Sequence, residues 1–484
     1  MISVKKQIAN GVFYTSISKY SGIIVSLCVT AVLARLLKPE DFGVVAIATV
    51  LIFFFDLLVN MGFGPAIIQH KDLTDSELSD IFSFTILIGI ILTIVFFFLA
   101  SPIAHYYNND LLIKLCKLLS IILILNSLNI VPNALLLKEK QFKFLAICNV
   151  SIQILLGTIA VICAYSGFGV YSLLIAPIGT SMIVFIVNII RIHVKLVLKL
   201  RINFKSIRKI LTFSTYQFLF NIVNFFSRNL DKLLIGKYIG MQSLGYYEKS
   251  YRLMMLPLSS ITNVITPTIQ PIFSDFQNEK EKLKSYSLQI TNVLALIGCI
   301  LTPFLFFSAK ELLLIIFGNQ WENAIPVFKI LSLTVFIQMV DSASGSILQS
   351  SNAAKYLFIS GFICAIINVT TILISVIIFK SIEIVAIAID IAFVLNLLIS
   401  FYYIYMKVFN THIWIVLKIF IYPLLTGLII ALTLYFLPVN SLPMVFSLLI
   451  KFLVTIVVAA LFIFVSGQYN FRELKYKLLA FIKQ

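Results

Sequence analysis

Charge is scarce in this sequence, and acidic charge is scarcer still. Charged residues make up 12% of the 484, with 20 Asp and Glu against 37 Lys and Arg. A water-soluble chain is about 25% charged and about 45–50% apolar. Here 60% of the residues are hydrophobic, and a soluble protein has too little polar surface to cover that surplus. The six cysteines (Cys28, Cys116, Cys148, Cys163, Cys299, Cys364) lie in or beside apolar runs and form no CxxC pair. That predicts no disulfide and no metal site. The four histidines, His70, His105, His193 and His412, are scattered at loops and helix ends. Walker A, HExxH and GxSxG motifs are all missing, so ATP hydrolysis, zinc proteolysis and serine hydrolysis have no motif to rest on. No catalytic residue and no cofactor are expected. The formal net charge is +17, yet no zinc finger, helix-turn-helix or basic arm carries it. Nucleic acid is therefore not an expected partner, and the positive-inside rule of membrane proteins accounts for the basic residues.

What the chain has in abundance is long apolar runs. A membrane span needs about 20 mainly apolar residues. Runs at roughly 11–34, 42–68, 81–100, 113–136, 144–165, 168–190, 210–236, 243–273, 287–308, 323–348, 355–379, 382–405, 414–436 and 445–466 give about fourteen helices. Lys5 and Lys6 precede a first run too long for a signal peptide and without a small-residue cleavage site, so it reads as a retained helix. With the N-terminus inside, the inner gaps hold about 23 Lys and Arg and the outer gaps about 5, which predicts N-in and C-in in a bacterial inner membrane. The richest gap is 191–209, with Arg191, Lys195, Lys199, Arg201, Lys205, Arg208 and Lys209; the C-terminal tail adds Arg472, Lys475, Lys477 and Lys483. One inner gap, 69–80 (QHKDLTDSELSD), is acidic instead. No gap is long enough to hold a soluble domain.

The two halves repeat. At an offset of 202, Tyr14 meets Tyr216, Arg35 meets Lys237, Gly43 meets Gly245 and Pro65 meets Pro267. At an offset of 212, Asn126 meets Gln338, Asn129 meets Asp341 and Lys143 meets Lys355. The expected fold is an all-α membrane protein: a six-helix bundle over 1–190, a basic linker over 191–209, a second six-helix bundle over 210–405, and two extra helices with a basic tail over 406–484. Six helices per half place the pseudo-symmetry axis along the membrane normal. In secondary transporters built this way the substrate site lies between the halves near the midplane.

Polar residues fall on single helical faces. Run seven carries Gln217, Asn221, Asn224, Arg228, Asp231 and Lys232 at spacings of 4, 3, 4, 3 and 1. Each charge at the bilayer centre costs about 2.5–3.5 kcal/mol even on the lenient scale, so this face belongs in the bundle or in a hydrated cavity. Three readings stay open: a cavity lined by Arg228, an Arg228–Asp231–Lys232 ion pair locking the halves, and snorkelling toward the outer surface. Run one carries Thr15, Lys19, Gly22, Ser26 and Thr30, where Lys19 either lines a cavity or snorkels. In run two, Asp56 with Asn60 and Gly64 reads either as a proton or cation coupler or as a hydrogen-bonded structural acid. Run four has Asn126, Asn129 and Asn133, and run ten has Gln338, Asp341, Gly345 and Gln349; Asp390 lies mid-run in run twelve. Run eight has Glu248, Arg252, Ser259, Thr262, Asn263, Thr266 and Gln270, with Glu248 and Arg252 spaced as an i,i+4 ion pair. Runs 3, 9, 13 and 14 are nearly all Ile, Leu, Phe and Val, as lipid contact requires. Gly62, Gly64 and Pro65 in run two, and Pro267 and Pro271 in run eight, mark kinks or helix ends.

Two stretches resemble a known family. Residues 12–69, above all AVLARLLKPEDFGVVAIATVLIFFFDLLVNMGFGPAIIQ, resemble the opening of Wzx-type polysaccharide flippases of the MOP superfamily. Residues 225–274, FFSRNLDKLLIGKYIGMQSLGYYEKSYRLMMLPLSSITNVITPTIQPIFS, resemble the lipopolysaccharide and colanic-acid exporter subgroup more closely still. The resemblance covers about residues 1–410. It implies two six-helix bundles forming a V around a cavity, and transport of an undecaprenyl-diphosphate-linked oligosaccharide by alternating access, coupled to H+ or Na+. A lipid diphosphate needs cations, and Lys19, Arg228 and Arg252 are the candidates. Asn60, Asn126, Asn129, Asn221, Asn224 and Gln338 would meet sugar hydroxyls, and Asp56, Asp341 and Asp390 would couple the ion. The expected partners are the lipid-linked oligosaccharide, membrane lipid and polysaccharide-assembly proteins. Three rivals remain. A multidrug antiporter would favour cavity acids over bases. A polytopic polysaccharide-assembly enzyme would need a large outer loop. A lipid II flippase fits the two stretches less well.

Overall fold

A computed structural model describes residues 4–466 except Lys71, Leu200, Asp275, Gln277, Asn278 and Asn440; the side chains of 4–12, 210–217, 219, 220, 223, 263–272, 274 and 413 also lie outside the description. Helix is the only regular secondary structure among the described residues. In chain order the helices are α1 (Val4–Leu36), α2 (Pro39–Asn60), α3 (Phe63–Gln69), α4 (Asp75–Tyr107), α5 (Leu111–Leu119), α6 (Ile121–Lys138), α7 (Phe142–Tyr165), α8 (Ser172–Arg191), α9 (Phe204–Tyr238) and α10 (Met241–Ser274). They continue with α11 (Lys280–Phe307), α12 (Ala309–Phe317), α13 (Ile325–Ser332), α14 (Val335–Asp341), α15 (Ser344–Ser350), α16 (Ala354–Ile374), α17 (Ile382–Phe401), α18 (Ile413–Phe436) and α19 (Met444–Val465).

Among the described residues, 11 helical stretches are long and apolar enough to cross a membrane, and a bent pair, Asn319–Ser332 with Val335–Ser350, brings the count to 12. The chain is a multi-pass membrane protein. The fourteen runs read from sequence exceed that count. Runs seven and eight correspond to α9 and α10, which at 35 and 34 residues are long enough to span. Run ten is not one helix but α13, α14 and α15 with a 46° bend.

Local chemistry sets the helix ends. Thr74 caps α4 by accepting from the Glu77 amide at 3.3 Å, while the Glu77 carboxylate accepts from the Thr74 amide at 2.9 Å. Pro39 stands in the first turn of α2, and the Asp41 carboxylate accepts from the Lys38 amide at 3.0 Å. Run two breaks between α2 and α3, where Met61 (φ 39°) and Gly62 (φ 77°) adopt left-handed conformations. The feature read from Gly62, Gly64 and Pro65 is thus a helix end followed by a restart. The side chains of Pro267 and Pro271 lie outside the description.

The chain divides into two compact units, Met1–Glu248 and Lys249–Gln484. In the first, α1 packs on α7, α4 on α6, and α8 on both α6 and α7. In the second, α11 packs on α14 and α18, and α16 on α17. Its core joins Leu294, Met339, Val340, Ile347, Phe401 and Phe420 around Tyr405, whose hydroxyl lies 3.0 Å from Ser287 Oγ and 3.1 Å from Thr291 Oγ1. Outward faces are apolar, as on α18 and α19, where Leu428, Leu432, Val457 and Leu461 are exposed. In water such faces would aggregate, whereas in a bilayer they meet lipid.

Two helices that contain runs read as suited to lipid contact also carry buried polar groups, with Ser79 and Asp80 just ahead of run three. In α4, Ser79, Asp80, Ser83 and Thr85 are buried; in α19, Ser447, Lys451 and Thr455 are. The α4 set holds the basic linker. Ser79 Oγ accepts from the Val197 amide at 3.2 Å and Ser83 Oγ from the Lys199 amide at 2.8 Å. Asp80, 2% exposed, accepts from Lys199 Nζ and from Ser206 Oγ, both at 2.9 Å. Lys209 adds an ion pair to Glu77 at 2.8 Å. The acidic gap that broke the charge pattern is therefore the counterpart of the basic linker. Removing a buried partner of an ion pair is more damaging than the pair is stabilising. Because Lys199 is partly exposed, Asp80→Ala is expected to destabilise by about 2 kcal/mol. Trypsin cleavage between 195 and 208 should become faster than in the parent, and an unchanged cleavage rate would show that the clasp does not hold the linker down.

Candidate functional site

In the first unit the polar residues converge on Asp56. Its Oδ1 accepts from Asn126 Nδ2 on α6 at 2.7 Å, and its Oδ2 from Asn60 Nδ2, one turn along α2, at 2.9 Å. The Asn60 amide also reaches the Asp56 carbonyl at 3.0 Å. Three residues chosen from spacing alone therefore form one network across two helices. Asn129, one turn from Asn126, accepts from Asn188 Nδ2 of α8 at 2.8 Å. Asn188 is buried and was not singled out from sequence. Its signal was there, as one amide near the end of an otherwise apolar run.

The α9 stripe divides. Asn221 and Asn224 are half-buried, while Arg228 is exposed. Arg228 forms no ion pair among the described residues. Asp231 is buried and accepts from the Tyr247 hydroxyl of α10 at 2.6 Å; Lys232 meets Glu248 of α10 at 2.9 Å. The lock foreseen among Arg228, Asp231 and Lys232 is instead two links from α9 to the start of α10. Glu248, expected to pair with Arg252 along its own helix, has Lys232 as a partner. Lys19 on α1 and Arg252 on α10 are, like Arg228, exposed. Gln217, Asn263, Thr266 and Gln270 lie outside the described residues.

In the second unit, Asp390 Oδ1 accepts from Thr334 Oγ1 at 2.9 Å, and Gln338 Nε2 donates to the same hydroxyl at 3.3 Å. Asp341 faces Ser344 and Ser400, and its Oδ1 has no partner among the described residues. The pairs Asn129–Asn188 and Asp341–Ser400 stand at the same offset of 212, so the repeat extends from residue identities to an interhelical contact. Asn396 on α17 donates to Asn368 on α16 at 2.9 Å. Sequence reasoning also missed the buried pair of Glu311 (α12) with Lys451 (α19), where Ser447 Oγ donates to Glu311 at 2.8 Å. A lone lysine in an apolar run was the available signal. No group of His, Cys, Asp and Glu able to hold a metal occurs among the described residues.

The first unit offers the exposed cations Lys19 and Arg228 with half-buried amides around Asp56, and the second offers the exposed cation Arg252 with Asp341 and Asp390; cations suit an anionic group and amides suit hydroxyls. Comparison with known proteins points the same way. Teichuronic acid biosynthesis protein TuaB of Bacillus subtilis is 25% identical over 362 residues, 74% of each chain. Lipopolysaccharide biosynthesis protein WzxC of Escherichia coli is 24% identical over 361 residues, 72% of this chain and 71% of that one. Among solved structures, a lipid II flippase MurJ in an inward closed conformation superposes with a TM-score of 0.74 at 17% identity, covering 93% of this chain and 98% of its own, which establishes a shared fold. With residues 32–326, more than half of its length, matching the family model, the chain belongs to the polysaccharide biosynthesis protein family.

Proposed function

We propose that this protein moves an undecaprenyl-diphosphate-linked oligosaccharide from the inner to the outer leaflet of a bacterial inner membrane by alternating access, without a chemical step of its own. The observation that carries this reading is that a polysaccharide-biosynthesis chain has the fold of a lipid flippase. The charge bias supports an orientation with both termini inside, and the sequence repeat supports two six-helix halves, a linker at 191–209 and two added helices. Lys19, Arg228 and Arg252 would engage the diphosphate, and Asn60, Asn126, Asn129, Asn221, Asn224 and Gln338 the sugars. Polysaccharide-assembly proteins would supply and collect the substrate. Of the three acids, Asp341 is the best fitted to carry the coupling H+ or Na+. Both carboxylate oxygens of Asp56 already accept from amides and Asp390 accepts from Thr334, whereas Asp341 keeps one oxygen free of partners among the described residues.

The test is genetic and chemical. A strain lacking the gene should accumulate the lipid-linked oligosaccharide facing the cytoplasm. A charge-assisted hydrogen bond contributes about 1.5–3 kcal/mol, so Arg228→Ala should cut export about tenfold or more at unchanged protein level. Asp341→Asn should abolish the dependence of transport on the ion gradient. Absence of the accumulated intermediate in the deletion strain would end the proposal.

A further inference from the structure

The linker after α8, together with the first turns of α9, has two sides. One is taken up by protein: the Val197 and Lys199 amides bond to Ser79 and Ser83, Lys199 Nζ to Asp80, and Lys209 to Glu77. The other side is unspent. Lys195, Arg201, Lys205 and Arg208 are exposed and form no ion pair among the described residues. Beside them, Val197 and Leu198 are each 59% exposed and Phe204 is 67% exposed. The facing acids, Glu77 and Asp80, are already engaged by Lys209 and Lys199.

Depth follows from the attachment. The linker is tied to residues 76–83, the first turns of a 33-residue helix. Such a helix is about 50 Å long and the hydrocarbon layer about 30 Å, so about 10 Å at each end stands in the headgroup layer. The linker also begins where the span Gly169–Arg191 ends. It therefore runs along the membrane surface. An acidic protein or a nucleic acid would use the cations and leave three large apolar side chains in water. A leaflet of anionic phospholipid uses both, with phosphates against the cations and acyl chains against Val197, Leu198 and Phe204.

We propose that residues 195–199 and 201–208 form a docking surface for anionic phospholipid, clasped to α4 on one side and seated on the headgroups on the other. The inference holds for either orientation of the chain and does not depend on which substrate is carried. Its test uses the full chain, purified and reconstituted into bilayers, with Phe204→Trp in a Trp414→Phe background; Trp321 is buried and gives a constant signal. Brominated phosphatidylglycerol should quench the new tryptophan at a lower lipid fraction than brominated phosphatidylcholine. A surface cation contributes a preference of about fivefold, so Arg201→Gln should shift the quenching midpoint to about fivefold more anionic lipid, and replacing all four cations further still. None of the four side chains forms an ion pair among the described residues, so the thermal midpoint should stay put. Should the fourfold variant fold poorly, the single variant decides. Equal quenching by both lipids, no quenching, or a midpoint unmoved by Arg201→Gln would overturn the proposal.

Discussion

Alanine at Gly245 is expected to lower the thermal unfolding midpoint of the purified protein, with a loss of about 1–3 kcal/mol, and alanine at Gly43 by a similar amount. A Cβ at Gly43 would lie 1.8 Å from the Met241 carbonyl oxygen, and one at Gly245 would lie 2.0 Å from that of Pro39. The obstacle in both cases is backbone, which cannot rotate aside. The starts of α2 and α10 must separate to admit a methyl group, and the small-residue contact that lets the two backbones meet is lost. The crossing is reciprocal, for 39 maps to 241 and 43 to 245 at the single offset of 202. The double variant should therefore lose less than the sum of the singles, because one separation accommodates both methyl groups. Gly361→Ala in α16 is the control. Nothing lies within 4 Å of its Cβ, and alanine favours a helix interior by about 0.5–1 kcal/mol over glycine. Equal losses at Gly361 and Gly245 would remove the packing explanation.

That crossing was half legible in sequence. The offset paired Gly43 with Gly245 but gave no reason for the pair, since nothing in a sequence says which glycines touch. The polar stripes behaved likewise. Periodicity placed Asp56, Asn60 and Asn126 on inward faces because a 3.6-residue period is a local property. It gave no partner for Asp231 or Lys232, whose bonds to Tyr247 and Glu248 depend on how α10 returns beside α9. Run ten read as one apolar stretch because hydropathy does not register a 46° bend. The acidic gap at 69–80 has no explanation within its own stretch of sequence, for its basic counterpart lies more than a hundred residues away.

The same limit governs the last pair, where the largest single-residue effect is expected. Lys451→Met or Glu311→Leu alone should destabilise the protein by about 3–5 kcal/mol, while both together should come within about 1 kcal/mol of the parent or exceed it. Lys451 is 6% exposed and Glu311 8%. Besides its partner, Lys451 has the Phe307 carbonyl at 2.9 Å, and Glu311 has the Ser447 hydroxyl at 2.8 Å. Removing one member leaves an uncompensated charge with little water in reach, and that desolvation sets the size of the loss. Removing both exchanges the pair for apolar contact in surroundings already rich in Phe and Leu. Glu311 Oε2 has no partner among the described residues, so the pair is incompletely satisfied and its net contribution small. Its value then lies in position. Helices α18 and α19 have mostly apolar faces that would pack against many neighbours, and one ion pair from α12 to α19 selects a single seat. Chemical denaturation of the four proteins in detergent decides the matter. If the double variant loses as much as either single, the pair is a net stabiliser rather than a register device.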